Sequence, residues 1–185
     1  MKALQSILTK SRHSLTLGVA SRRAFSTTSD VDPSSIRTNQ WHTGLIMNPH
    51  PAKRAKGGED AASVTENVIA VADGVGGWAE SGVDPAKFSR ALCHNIDKRL
   101  VDPNASTQTK NTYITDPQRL LIDAVEDTRE TGSSTCVIAS LDLDLPRVYT
   151  CNLGDSGYLW LRKSGFDMVS LYRSKEQTHS FNFPY

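Results

Sequence analysis

Apolar positions in this chain fall into short runs punctuated by glycines and by Asp-Pro pairs, a spacing that predicts strands and helices in alternation. Val68-Ile69-Ala70-Val71-Ala72 is an uninterrupted apolar run, the pattern of a strand covered on both faces. It ends on Asp73, followed by Gly74, Gly76 and Gly77. Asp84-Pro85 then offers an N-cap and a first-turn proline, after which Phe88, Ala91, Leu92, Ile96 and Leu100 share one helix face. Residues 101–115 read as polar and turn-rich. A second cap, Asp116-Pro117, opens a helix with Leu120, Leu121, Ala124 and Val125 inward and Asp123, Glu126 and Asp127 largely outward.

From Gly132 the period becomes that of strands. Ser134 to Leu141 is one strand, and Arg147 to Leu153 is its return partner across Asp142-Leu143-Asp144-Leu145-Pro146, whose acids read as solvated. The return strand ends in Gly154-Asp155-Ser156-Gly157. Tyr158 to Arg162 and Asp167 to Tyr172 are further strands about the turn Lys163-Ser164-Gly165. Ser174 to Tyr185 reads as irregular, and so does the Pro- and Gly-containing stretch 30–58.

Composition narrows the class. A length of 185 residues with 38% hydrophobic content suits one medium domain. The net charge of +1 argues against a dedicated nucleic-acid binder. No apolar run approaches the roughly 18 residues of a membrane span, so no transmembrane segment is expected. Cys93, Cys136 and Cys151 lack paired spacing and sit among apolar residues, which favours buried reduced thiols over a zinc or redox role. His94 reads as a surface or packed residue.

Charge is unevenly spread. Residues 1–29 carry Lys2, Lys10, Arg12, Arg22 and Arg23 and no acid, are rich in Ser and Thr, and place Leu4, Ile7, Leu8, Leu15 and Leu17 at loosely helical spacing. This is the composition of a mitochondrial transit peptide rather than a secretory signal, whose apolar core Lys10, Arg12 and His13 would interrupt. Arg23-Ala24-Phe25-Ser26-Thr27-Thr28 resembles a matrix processing site, and cleavage is expected between about Arg23 and Asp30. The expected organisation is a leader at 1–29, a loop-rich lead-in at 30–56 and a domain from 57 to 185.

Candidate chemistry lies at element ends. A carboxylate at the end of a buried strand is costly unless a cation meets it, and glycines let a backbone carbonyl come close beside it. Asp73 fits that description, although an ordinary tight turn with a solvated Asp is the plainer alternative. Asp155 repeats the context, and Glu59-Asp60 adds an acidic pair at a strand start, where alternation would send the two carboxylates to opposite faces unless the strand begins with a twist. An oxygen-only set without His or Cys selects Mg²⁺ or Mn²⁺ over Zn²⁺. Two such ions would polarise a phosphoryl group and generate hydroxide from a shared water.

ENVIAVADGVGGWAESG, GSSTCVIASL, NLGDSG and SKEQTHSFNFPY together resemble the metal-dependent protein phosphatase type 2C (PPM-type) family, particularly its mitochondrial branch, over about Gly57 to Tyr185. The resemblance implies an α+β fold, a four-layer α/β/β/α sandwich of two antiparallel sheets flanked by helices. It implies hydrolysis of phosphoserine and phosphothreonine by a metal-bridging water, acting on phosphorylated mitochondrial proteins, with the matrix as the expected location. By the same resemblance Asp73 is the catalytic carboxylate bridging two Mg²⁺ or Mn²⁺ ions, and Gly74 offers its carbonyl to one. Glu59 and Asp60 act mainly through metal-bound waters, and Asp155 lies near a weaker metal position.

Three departures from the family pattern stand out. Val75 occupies a position where many members carry His, and the phosphate-binding Arg upstream of the acidic pair has no clear match, with Arg54 and Lys56 nearby. Family members also continue past QTHSFNFPY to two further metal-binding aspartates, so the chain reads as truncated at the C-terminus. A catalytically inactive phosphatase-like binding module is therefore the alternative reading. A nucleotide-binding enzyme is weaker: Gly74-Val75-Gly76-Gly77-Trp78-Ala79 fits G-x-G-x-x-A, but Asp73 would face the pyrophosphate and the helix begins too late.

Overall fold

The structure, a computed structural model, describes residues 39–180 and 183–184. The basic segment 1–29 and its leader motif lie outside the described residues. Among the described residues eight strands and three α-helices follow in order: β1 (Asp60–Val64), β2 (Val68–Asp73), α1 (Pro85–Val101), α2 (Thr107–Thr115), α3 (Pro117–Asp127), β3 (Cys136–Leu141), β4 (Val148–Leu153), β5 (Leu159–Ser164), β6 (Asp167–Arg173), β7 (Thr178–Ser180) and β8 (Phe183–Pro184). Single 3-10 turns at Pro51–Lys56 and Gly76–Ser81 flank the first hairpin.

Strands β1 to β4 form one antiparallel sheet in the order β1-β2-β3-β4, and β5-β6 and β7-β8 form separate antiparallel pairs. The α+β expectation holds. The three helices cover one face of the large sheet. Val68, Ala70 and Ala72 of β2 and Cys136, Ile138 and Ser140 of β3 point into that layer, against Leu92 and Ile96 of α1 and Leu120, Leu121 and Ala124 of α3. Small residues on the strand face let α1 lie close. Each fully buried Leu or Ile contributes roughly 1.5–3 kcal/mol. On the other face Val64 and Val71 remain exposed, so β2 is covered on one face and not on both as its apolar run predicts. The β5–β6 hairpin is tied to the sheet by a Tyr158–Thr150 hydroxyl pair at 2.8 Å, and Trp160 stacks on Trp41 with ring centroids 6.3 Å apart.

Local signals set the helix starts. The Asp84 carboxylate accepts from the Ala86 N–H at 3.1 Å and the Asp116 carboxylate from the Arg119 N–H at 3.1 Å, each with proline at the first helical position. All three cysteines are free, Cys93 and Cys136 buried and Cys151 half-buried, and burial pushes each thiol above its usual range. His94 is exposed.

Three further expectations are corrected. Residues 107–115 form helix α2, capped by Ser106, whose hydroxyl accepts from the Thr109 N–H at 3.1 Å. The segment TQTKNTYIT has no apolar stripe, and Tyr113 is its one buried residue, so nothing periodic marks it in sequence. Ser174 to Tyr185 is not wholly irregular, because β7 and β8 pair within it. Asp123 points inward rather than outward: it accepts from the Tyr113 hydroxyl at 2.9 Å and meets Arg119 Nε at 2.9 Å, while Arg99 bonds the Tyr113 oxygen and the Asp123 carbonyl, each at 2.9 Å. This polar knot joins all three helices.

Asp123→Ala leaves the buried Tyr113 hydroxyl without its acceptor and Arg119 without its ion-pair partner, a loss of about 1–3 kcal/mol. Urea denaturation checks this value, and a change below about 0.5 kcal/mol would show that the knot is merely decorative.

Candidate metal centre

The β1–β2 hairpin carries the acids to one rim of the sheet. Its register pairs Asp60 with Asp73 and Ala61 with Ala72. Glu59 lies just before β1, so strand alternation does not bind it, and both members of the acidic pair act on Asp73. The backbone there is locked on several sides. Gly74 N–H donates to the Glu59 carbonyl at 3.1 Å, the Ser89 hydroxyl of α1 donates to the same carbonyl at 2.5 Å, and Thr135 N–H donates to the Asp73 carbonyl at 2.9 Å.

Gly74 is required by space. A Cβ there would lie 2.5 Å from the Pro85 carbonyl oxygen and 2.9 Å from that of Glu59, closer than packed atoms tolerate. The loop past it is held by Val75 N–H to the Ser133 carbonyl at 3.0 Å and by the Trp78 indole N–H to the Ser133 hydroxyl at 2.8 Å.

Asp155 arrives from β4 on the turn beginning at Gly154, whose φ of 89° is a left-handed conformation suited to glycine. The neighbouring Ser156 hydroxyl pairs with that of Thr135 at 2.6 Å, and Thr135 Oγ1 also accepts from the Asp73 N–H at 3.3 Å. Thr135 thus links the two Asp-Gly turns. Sequence reading assigned no role to Ser133, Ser134 or Thr135. The only signal was their small hydroxyl run at the mouth of a strand.

Asp73 is solvent-accessible, yet its carboxyl is pushed up to about 6. Partial desolvation is the largest cause, followed by the charge of Asp60 and a hydrogen bond to it, then the charges of Asp155 and Glu59. All four sequence-derived acids therefore come within electrostatic reach of one another. They are not packed into a ready cage: among the described residues, no three His, Cys, Asp or Glu side chains form a metal-holding group. The donor chemistry nonetheless fits a hard dication, being carboxylate and backbone oxygen alone. Glu59 already has one cation, since Lys53, rather than Arg54 or Lys56, forms an ion pair with its carboxylate. Beside Asp155 opens a cleft of about 350 Å³ lined in part by Tyr158, Leu159, Arg173 and Ser174.

An antiparallel α+β fold with acids gathered at a sheet rim defines the class, and known proteins narrow it. No protein-family model matches the chain. Over 147 residues it is 42% identical to probable protein phosphatase 2C 55 of Arabidopsis thaliana, a match covering 77% of this chain and 28% of that one. It is 36% identical over 132 residues to the protein phosphatase PTC7 homolog of Xenopus laevis, covering 69% of this chain and 42% of that one. Among solved structures, the X-ray structure of the photosystem II phosphatase PBCP matches with a TM-score of 0.64 and 38% identity, over 75% of this chain and 51% of that chain. The chain belongs to the protein phosphatase 2C family. It spans less than half the length of these two curated relatives.

A carboxyl raised in the folded state stabilises the fold fully below its unfolded value, and that contribution is lost as pH rises through about 6. In EDTA the wild-type chain should therefore lose stability between about pH 4 and 6, and Asp73→Asn should flatten that slope. At pH 7 the variant should melt higher by a few degrees at most, because solvent screens the group. Added Mn²⁺ should reverse the ranking by stabilising only the wild type. Thermal melts across pH check both signs; identical curves for the two chains would contradict the assigned environment.

Proposed function

We propose that this chain belongs to a metal-dependent serine/threonine protein phosphatase that acts on phosphorylated mitochondrial proteins in the matrix. The observation that carries the reading is the β1–β2 register that sets Asp60 across from Asp73 at the sheet rim, with Glu59 next to it, in a chain whose relatives bear the name protein phosphatase 2C. Like charges so placed favour a cation.

In this reading Asp73 and the Gly74 carbonyl would hold Mg²⁺ or Mn²⁺, Glu59 and Asp60 would act through the surrounding waters, and Asp155 would lie near a further, weaker position. When bound, the ions supply the positive charge that polarises a phosphoryl group and makes water acidic enough to react at neutral pH. The protein's own part is orientation. The Gly74–Glu59 and Thr135–Asp73 backbone bonds keep the acids at the rim.

Location rests on residues 1–29, acid-free and basic, as the leader of a domain beginning near Gly57. N-terminal sequencing of the protein purified from mitochondria should find a start between about Arg23 and Asp30; a start at Met1 would remove the matrix assignment.

Activity is tested by Mn²⁺-dependent hydrolysis of p-nitrophenyl phosphate with the purified 185-residue chain. Turnover should require Mn²⁺ and fall at least about a hundredfold in Asp73→Asn, the scale of losing a group that stabilises transition-state charge. Binding of a phosphopeptide without any turnover would instead favour the inactive binding module.

A further inference from the structure

We propose that Lys53 is a resident counter-ion of the acidic rim, competing with the divalent cation for Glu59 and thereby setting how tightly the site takes it. This inference rests on the metal-dependent reading above and adds a residue that carries no role in it. The Glu59 side chain is 15% exposed and that of Lys53 45%, so the carboxylate is the more enclosed partner and depends more on a cation.

The pair sits in a built location. Lys53 belongs to the 3-10 turn Pro51–Lys56, which starts with the Ala52 N–H donating to His50 Nδ1 at 3.3 Å and ends on Gly57 at φ 81°. Arg90 of α1 pins the end of that turn, donating to the carbonyls of Lys56 at 3.1 Å and Gly58 at 3.2 Å. Across the pair lies Gly76, where a Cβ would stand 3.1 Å from Glu59 Oε2 and 3.2 Å from Lys53 Nζ. The glycine of the Asp73 loop thus leaves the space in which the ammonium and carboxylate meet.

An ammonium and a dication seek the same oxygens. A dication entering the rim must either displace Lys53 from Glu59 or bind within a few ångströms of its charge, and both weaken binding. Lysine suits this duty: its ammonium is a compact charge on a flexible stem and can swing into solvent once displaced. Coulomb's law at a partly screened surface makes the effect about tenfold in affinity.

The experiment is calorimetric titration of MnCl₂ into the wild-type chain, Lys53→Met and Lys53→Arg at fixed ionic strength, with circular dichroism to establish that each is folded. Lys53→Met should bind Mn²⁺ about tenfold tighter and Lys53→Arg should match wild type, with the gap narrowing as salt rises. Lys53→Gln replaces the Met variant if that chain does not fold. Affinity that is unchanged or weaker in the neutral variant overturns the proposal, while metal binding by the wild type leaves the metal-dependent reading standing. No Mn²⁺ binding by any of the folded chains overturns both.

Discussion

Antiparallel pairing of β1 with β2 sets Asp60 across from Asp73, and the rest of the rim depends on that register. A slip of one residue would turn Asp73 toward the helices and Ala72 toward solvent, exchanging the buried and exposed faces of the strand. The hydrophobic core enforces the register. Val68, Ala70 and Ala72 are wholly buried beneath α1, so the alternate positions Val71 and Asp73 must face the other way. Core packing and site placement are one constraint seen from two sides of a strand.

Electrostatics works against that packing. The charges of Asp60, Asp155 and Glu59 raise the cost of ionising Asp73, and the fold holds this rim with backbone bonds as well as with the Lys53–Glu59 ion pair. Gly74 to Glu59, Thr135 to Asp73 and Ser89 to Glu59 are neutral hydrogen bonds that hold position whatever the protonation state of the acids. Such a scaffold keeps the rim in register independently of the charges on it. The polar knot of Arg99, Tyr113 and Asp123 does a different job: it ties the helical layer together far along the chain from the acids.

Much of the fold was legible locally. The apolar run ending at Asp73, the Asp84-Pro85 and Asp116-Pro117 caps, the β3–β4 hairpin and the Gly-Asp-Ser-Gly turn each arise from interactions within a few residues, and local chemistry writes itself into local sequence. Family membership was legible for the same reason, since its motifs are those same turns.

Tertiary structure alone decided the rest. Helix α2 has a polar sequence and is held by the Ser106 cap, the burial of Tyr113 and the Ser140 hydroxyl on the Ile114 carbonyl. Asp123 sits on an otherwise amphipathic helix and turns inward because Tyr113 and Arg99 arrive from other elements. Glu59 and Asp60 reach one target because the strand begins between them, and Lys53 rather than Arg54 or Lys56 meets Glu59 because of how the 3-10 turn is oriented. Residue type and spacing determined which groups could carry the chemistry. Which of them meet was decided by contacts between segments distant in sequence, whose partners no local pattern encodes.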